Sequence, residues 1–281
     1  MEIVFYALTF ILGTVIGSFL GVVFDRGERQ KSIVAGRSAC DHCGHKLSWV
    51  ELIPVISYIF LGGKCKSCKK EIGFYYPLVE IITGLLFLLT VFSVFGPEPL
   101  RYLSDIRYLI VALYFLYIVS SLIVIFFADL KYGIIPFKIV FLALLLTFLW
   151  YFILPALHLK FFEIQFLSLQ GNYLFSYLIS GISAFLFFFI IFIATKGRGM
   201  GFGDVVYAFL MGLILGFPNI ILGLYIAFLV GALISVVLVV SGIKKLKGGS
   251  IPFGPFLVFG TIVSLFFGKL IIEKILIYLG R

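Results

Sequence analysis

The residues of this 281-residue chain whose types and spacing could do chemistry are four cysteines and a few acids set among apolar stretches. The cysteines stand as Cys40-Asp41-His42-Cys43 and Cys65-Lys66-Ser67-Cys68, with 21 residues between the pairs. Two C-x2-C knuckles at that separation supply four thiolates for one tetrahedral Zn²⁺, a spacing close to that of zinc ribbons. A disulfide reading would need an oxidising compartment. A redox or catalytic zinc would need an open ligand position, which four thiolates close, so His42 and His45 read as solvated neighbours. A module of about 45 residues is too small for a good core, so the metal is expected to supply much of its folding energy.

Acids within or beside apolar stretches are few, because an ionised carboxylate is costly at the bilayer centre. They are Glu80, Asp129, Asp204 and Glu273. Asp129 closes the third stretch in Phe126-Phe127-Ala128-Asp129-Leu130-Lys131, and Asp204 opens the sixth directly after Gly201-Phe202-Gly203. Two carboxyls sharing one proton can hydrolyse a peptide without a metal or a covalent nucleophile. The ionised one takes a proton from water while the protonated one polarises the scissile carbonyl. Two like charges a few ångströms apart do not both ionise cheaply. The plainer alternative is that Asp204 only caps a helix N-terminus. Asp129 has no such explanation, since the dipole disfavours an anion at a helix C-terminus. The same dipoles suggest Asp204 as the base and Asp129 as carrier of the shared proton.

The elements that must position these residues are membrane helices. The chain is 62% hydrophobic and 12% charged, with a mean hydropathy of +1.20, whereas a soluble domain carries about twice that charge. Apolar spans fall at 3–24, 77–96, 108–128, 139–157, 173–195, 205–217, 219–242 and 255–272. They predict an all-α polytopic membrane protein of about eight transmembrane helices, with a small cytoplasmic zinc module between the first and second. The organisation expected is a first helix over 1–24, a four-cysteine zinc module over 25–73, and a membrane domain over 74–281. No basic residue precedes the first stretch, which reads as a retained span. The sixth span, Val205 to Phe217, would be only about 20 Å long. Either it starts inside the membrane, with the Gly-rich segment before it satisfied by protein or water, or the bilayer is locally thin. A net charge of +9 raises the question of nucleic acid, but no nucleic-acid motif is present, and the charges lie between spans. Segments 25–73, 129–138, 196–204 and 243–254 hold 16 of the 22 Lys and Arg residues, which puts them in the cytoplasm and both termini outside.

A series of motifs runs along nearly the whole chain: Gly17-Ser18-Phe19-Leu20, the paired knuckles, Leu52-Ile53-Pro54-Val55-Ile56-Ser57 and Tyr76-Pro77-Leu78-Val79-Glu80. It continues with Asp129 and the following Ile135-Pro136, then Gly201-Phe202-Gly203-Asp204, and Pro252-Phe253-Gly254-Pro255. In this set and order the chain resembles the type IV prepilin peptidases, membrane aspartic proteases of the GxGD type. The resemblance implies an enzyme of the bacterial inner membrane that removes the basic leader of type IV prepilins or pseudopilins after a Gly, at the cytoplasmic face. Asp129 and Asp204 match the catalytic pair, and Gly201 and Gly203 support it. It further implies that many such enzymes methylate the new N-terminus with S-adenosylmethionine. Cys40, Cys43, Cys65 and Cys68 are associated with that second activity. Glu80 matches a family position that could serve methyl transfer, or be a favourable charge in a helix first turn. A basic leader would meet a basic module here, and anionic lipid or nearby acids would have to offset it.

Three residues depart from the pattern: Gly21 where the family commonly has Asn, Phe137 where it has an acid, and Val206 where it has Lys. Phe137 is expected to remove a polar group near Asp129, and Val206 a cation near Asp204. The competing functions are a peptidase without methyl transfer, a proton- or cation-coupled transporter, and a scaffold whose zinc module binds partners.

Overall fold

Backbone polar groups in a bilayer must be satisfied within the segment that carries them, and the long apolar stretches of this chain are all helical. The structure is a computed structural model, described over residues 1–28, 36–40, 42–156, 173–242 and 251–278. The helices are α1 (Glu2–Glu28), α2 (Ile56–Phe60), α3 (Tyr75–Phe95), α4 (Pro99–Tyr102), α5 (Ile106–Tyr132) and α6 (Phe137–Ala156), then α7 (Tyr173–Ala194), α8 (Phe202–Leu215), α9 (Asn219–Val240) and α10 (Gly254–Tyr278). Among the described residues there is no strand. Seven of these helices are long and apolar enough to cross a membrane, and α8 is a shorter apolar eighth. Asp41 and seven basic residues of the orientation argument (Arg29, Lys31, Lys160, Lys244, Lys245, Lys247 and Arg281) lie outside the described residues.

The chain divides into two compact units, Met1–Phe127 and Ala128–Arg281. In the first, α1 and α3 pack closely along a ladder of small residues spaced by four. A Cβ on Gly13 would stand 2.7 Å from Gly84 Cα, and one on Gly17 would stand 2.8 Å from Glu80 Cα. The next two rungs set Gly21 beside the Tyr76 ring and Asp25 under the Tyr75 and Tyr76 hydroxyls, which donate to its Oδ2 at 3.0 and 2.8 Å. Small residues at i and i+4 let two backbones approach, which is how apolar helices associate where lipid gives no hydrophobic drive.

The second unit is arranged around α8. This helix is 14 residues long, about 21 Å at 1.5 Å per residue. Its short span has a packing explanation. Val205, Tyr207, Ala208, Leu210 and Met211 are fully buried, and α6, α7, α9 and α10 all contact it. Tyr207, an OH group inside this core, is satisfied by Thr261 of α10 at 2.8 Å. At the α7–α8 crossing a Cβ on Gly212 would lie 2.5 Å from Gly181 Cα. Two expected boundaries shift. α5 continues past Asp129 to Tyr132, so Asp129 sits within its last turn. α8 begins at Phe202, so Gly203 and Asp204 are helical.

These contacts rank the glycines. Gly212→Ala must push backbone against backbone and is expected to cost about 1–3 kcal/mol, lowering the melting temperature in detergent by several degrees. Gly21→Ala meets only the Tyr76 ring, at 3.8 Å, and gains helix propensity, so its melting temperature should hold or rise.

Candidate functional site

The C-terminus of α5 and the N-terminus of α8 bring the two aspartates into one site. Gly133, at φ +67, ends α5 by donating its N–H to Asp129 O at 2.8 Å, a turn that glycine adopts without steric cost. The Asp129 side chain is buried against the backbone of Gly254, where a Cβ would stand 2.5 Å from Oδ2. That Oδ2 atom has no hydrogen-bond partner among the described residues. Asp204 is buried at the third position of α8. Its Oδ2 accepts the Gly201 N–H at 3.2 Å, while its own N–H donates to Gly201 O at 3.2 Å. The capping role is therefore real, and it coexists with proximity, since Asp204 senses the charge of Asp129. An acid in a helix first turn is favoured by the dipole, and one in a last turn is not.

The two glycines of the GxGD segment differ. Gly203 packs on Ile135, which a Cβ would approach at 3.0 Å, whereas a Cβ on Gly201 would come no closer than 3.5 Å to any neighbour, the nearest being Asp204 Oδ2. Gly201 has ordinary extended backbone, φ −74 and ψ 150. Phe137 and Val206 line one groove of about 350 Å³ together with Lys138, Phe141 and Leu144. The Phe137 ring lies 6.4 Å from that of Phe202, next door to the GxGD glycine. Phe137 and Val206 thus make an apolar pair in one place.

In the first unit the knuckles are built alike. Cys40 N–H donates to His45 O at 2.9 Å and Cys65 N–H to Lys70 O at 2.8 Å. Gly44 N–H returns to Cys40 O and Lys69 N–H to Cys65 O. Gly44 and Lys69, at the same position after each first Cys, both have positive φ. Isolated bridges, Ala39 to Lys46 and Lys64 to Glu71, close both loops. The four sulfur atoms lie within 4.8 Å of one another, with Cys40 to Cys68 at 3.9 Å and Cys43 to Cys65 at 4.0 Å, and form no disulfide. Zn–S bonds of about 2.3 Å in a tetrahedron put sulfurs about 3.8 Å apart, so this donor set fits zinc. The N–H groups of Cys68 and Ser67 hold the Cys65 thiol down, at about 6, while burial and the neighbouring sulfurs push the Cys68 thiol up, to about 11. His45 faces Glu51 at 3.5 Å instead of the sulfurs, and the Ser48 hydroxyl and N–H hold the Glu51 carboxyl below its usual range.

Glu80 lies in the second turn of α3, not the first, and is buried. Its Oε2 accepts the Val55 N–H at 2.7 Å, and the Ser18 hydroxyl also bonds to it. Glu273 pairs with Lys269 one turn away on a half-exposed face. The residues that had no role assigned from sequence are Gly254, Ile135, Ser18 and Val55. Each belongs to a quoted motif, and the motifs converge on two places: Ser18, Val55 and Glu80 in one, Asp129, Ile135, Gly203, Asp204 and Gly254 in the other.

Comparison with known proteins agrees with this grouping. Residues 11–94 match the bacterial peptidase A24 N-terminal domain, and residues 115–236 match the type IV leader peptidase family. A prepilin leader peptidase/N-methyltransferase of Bacillus subtilis is 30% identical over 95% of this chain and 96% of its own length. One from Pseudomonas aeruginosa is 29% identical over 98% and 95%. One from Myxococcus xanthus is 48% identical, over 30% of this chain and 25% of its own. No solved structure matches. The similarity runs through both units and takes in both candidate sites, and the chain belongs to the type IV leader peptidase family.

Proposed function

We propose that this chain is a membrane aspartic endopeptidase that removes the leader of type IV prepilins or pseudopilins after Gly. In this reading Asp129 and Asp204 are catalytic, and they act at the cytoplasmic side of the bacterial inner membrane. The single observation that supports it most is the Asp129 carboxyl, buried with an unpartnered oxygen beside Gly254 and electrostatically coupled to Asp204. A buried polar atom without a partner is a cost that a purely structural residue has no reason to keep. Asp204, with an N–H donor and a helix N-terminus behind it, is suited to the charged state. It takes a proton from water as the water oxygen bonds the scissile carbonyl carbon. Asp129, at a helix C-terminus, is suited to hold the shared proton and gives it to the carbonyl oxygen. The tetrahedral intermediate then collapses, the amide nitrogen takes up a proton, and the C–N bond breaks. The scissile segment must be extended, since a helix hides its carbonyls. Gly at the cut lowers the cost of unwinding by about 1 kcal/mol.

The second proposed activity transfers a methyl group from the co-substrate S-adenosylmethionine to the new terminal amine, which loses a proton. The zinc module over 25–73 serves it, with Cys40, Cys43, Cys65 and Cys68 holding a structural Zn²⁺ and the membrane domain over 74–281 carrying the peptidase. Glu80 enters as a positioning residue, since its carboxylate holds the Val55 turn. Transport is the weaker reading, because both carboxyls belong to one site at helix ends and no second broken helix pairs with α8 among the described residues.

Purified protein in lipid should shorten a prepilin by the mass of its leader. Asp129→Asn and Asp204→Asn should each abolish this while leaving the melting temperature and zinc content unchanged. Retained cleavage in either variant rejects the reading. Gly203→Ala and Gly254→Ala should slow cleavage at least about tenfold by displacing Ile135 and the Asp129 carboxyl, whereas Gly201→Ala should stay near wild type. Cys40→Ser should lower methylation, read as the gain of one methyl mass, more than it lowers cleavage. Because Phe137 and Val206 share a groove, Phe137→Asp and Val206→Lys should each cost stability alone and recover part of it together, with a coupling of about 1 kcal/mol in thermal melts.

A further inference from the structure

Neither site uses the apolar surface of the segment between the two knuckles. Trp49 is 77% exposed and Phe60 86%, and Val50, Leu52, Ile56 and Ile59 are exposed beside them. Such a cluster on a module bathed in water would be a liability, and contiguous exposed apolar patches mark contact surfaces. The flanking knuckles carry Lys46, Lys64, Lys66, Lys69 and Lys70, with Glu71 an exposed acid among the described residues.

The α1–α3 ladder gives the depth of this segment. Val55 is bonded to Glu80, five residues into α3, which places it about 7–8 Å along the axis from Tyr75. Glu80 is also level with Gly17 of α1, seven residues before Phe24, where the apolar run ends ahead of Asp25 and Arg26, about 10 Å by helix rise. The Pro54–Val55 turn is therefore beside residues inside two membrane-spanning helices. Its backbone is arranged as a dry environment requires. The N–H groups of Leu52, Ile53, Ile56, Ser57 and Ile59 bond to Trp49, Val50, Pro54, Ile53 and Val55 carbonyls, and the Val55 N–H bonds to Glu80. The price of this closure is a strained γ-turn: Val55 has φ +61 and ψ −49, a region a β-branched residue rarely enters.

We infer that residues 49–60 are an interfacial membrane insertion, with Trp49 and Phe60 at the acyl–headgroup boundary and the knuckle lysines on anionic phospholipid headgroups. An apolar face about 5–10 Å deep, edged by Lys, is the physical pattern of a segment lying in the interface plane. Glu80 satisfies the one N–H that the turn cannot pair internally. Lipid phosphate at the lysines also lessens the repulsion that a basic leader would meet at this module. The inference does not depend on peptidase activity, so Asp204→Asn protein serves equally in its test.

The chain has two Trp residues, and Trp150 is buried in α6, so the fluorescence difference between wild type and Trp49→Phe reports Trp49 alone. In proteoliposomes, lipids brominated near the headgroup end of the acyl chain should quench that difference about twofold more than lipids brominated near the terminal methyl. Quenching should be stronger in anionic than in zwitterionic bilayers, and Lys64→Gln combined with Lys66→Gln, Lys69→Gln and Lys70→Gln should remove that preference. A Trp49 signal that bromolipids leave unchanged and soluble acrylamide quenches freely overturns the inference. So does bromolipid quenching that disappears when an uncleavable prepilin peptide is added, since the surface would then belong to substrate.

Discussion

The constraint on which this molecule turns is the cost of keeping a carboxyl away from water without a full set of partners. Desolvating a charge is expensive, and burying a polar atom without a hydrogen bond costs about a kilocalorie per mole or more. Asp129 is held in that condition by the close approach of Gly254, with one oxygen unsatisfied. Asp204 is buried as well, with the Gly201 N–H on its Oδ2 at the start of α8, just as Asp129 meets the Gly254 backbone at the start of α10. In the proposed reading the two side chains differ chiefly in the helix that carries each, Asp129 closing α5 and Asp204 opening α8, and that difference would let one serve as base while the other delivers a proton.

Small residues make the arrangement possible at each level. Gly212 against Gly181 and Gly260 against Gly223 let α7, α9 and α10 close on their neighbours, so that the short α8 becomes a core. A helix in that position delivers Asp204 from a fixed N-terminus, and the turn at Gly133 delivers Ile135 onto Gly203. In the first unit the Gly13–Gly17 ladder sets Glu80 beside Ser18 and Val55. A buried carboxylate there accepts the Val55 N–H of a strained turn.

Much of this was legible in residue order. Long apolar stretches show as helices because hydropathy and backbone satisfaction demand the same thing, and the knuckle spacing showed the four-sulfur cluster because C-x2-C turns are local. Helix ends were less legible. Lys131 and Tyr132 end the apolar run of α5 without ending its hydrogen bonds, and Phe202-Gly203 reads as a turn although a cap starts the helix earlier. Long-range partners had no local signal at all. Nothing near Glu80 in sequence names Val55, and nothing near Phe137 names Val206, with which it shares a groove. In the residue order Asp204 fits both an intramembrane acid pair and a helix cap, and the motif series around it favours the pair.

The most direct measurement is the double variant Asp129→Asn/Asp204→Asn, compared with each single in single-turnover cleavage of a prepilin in lipid. Groups that act as one unit lose their contribution together. The account predicts that the double variant is no slower than the slower single variant. Losses that multiply, with each aspartate contributing its own factor, would show two independent residues and contradict a shared catalytic pair.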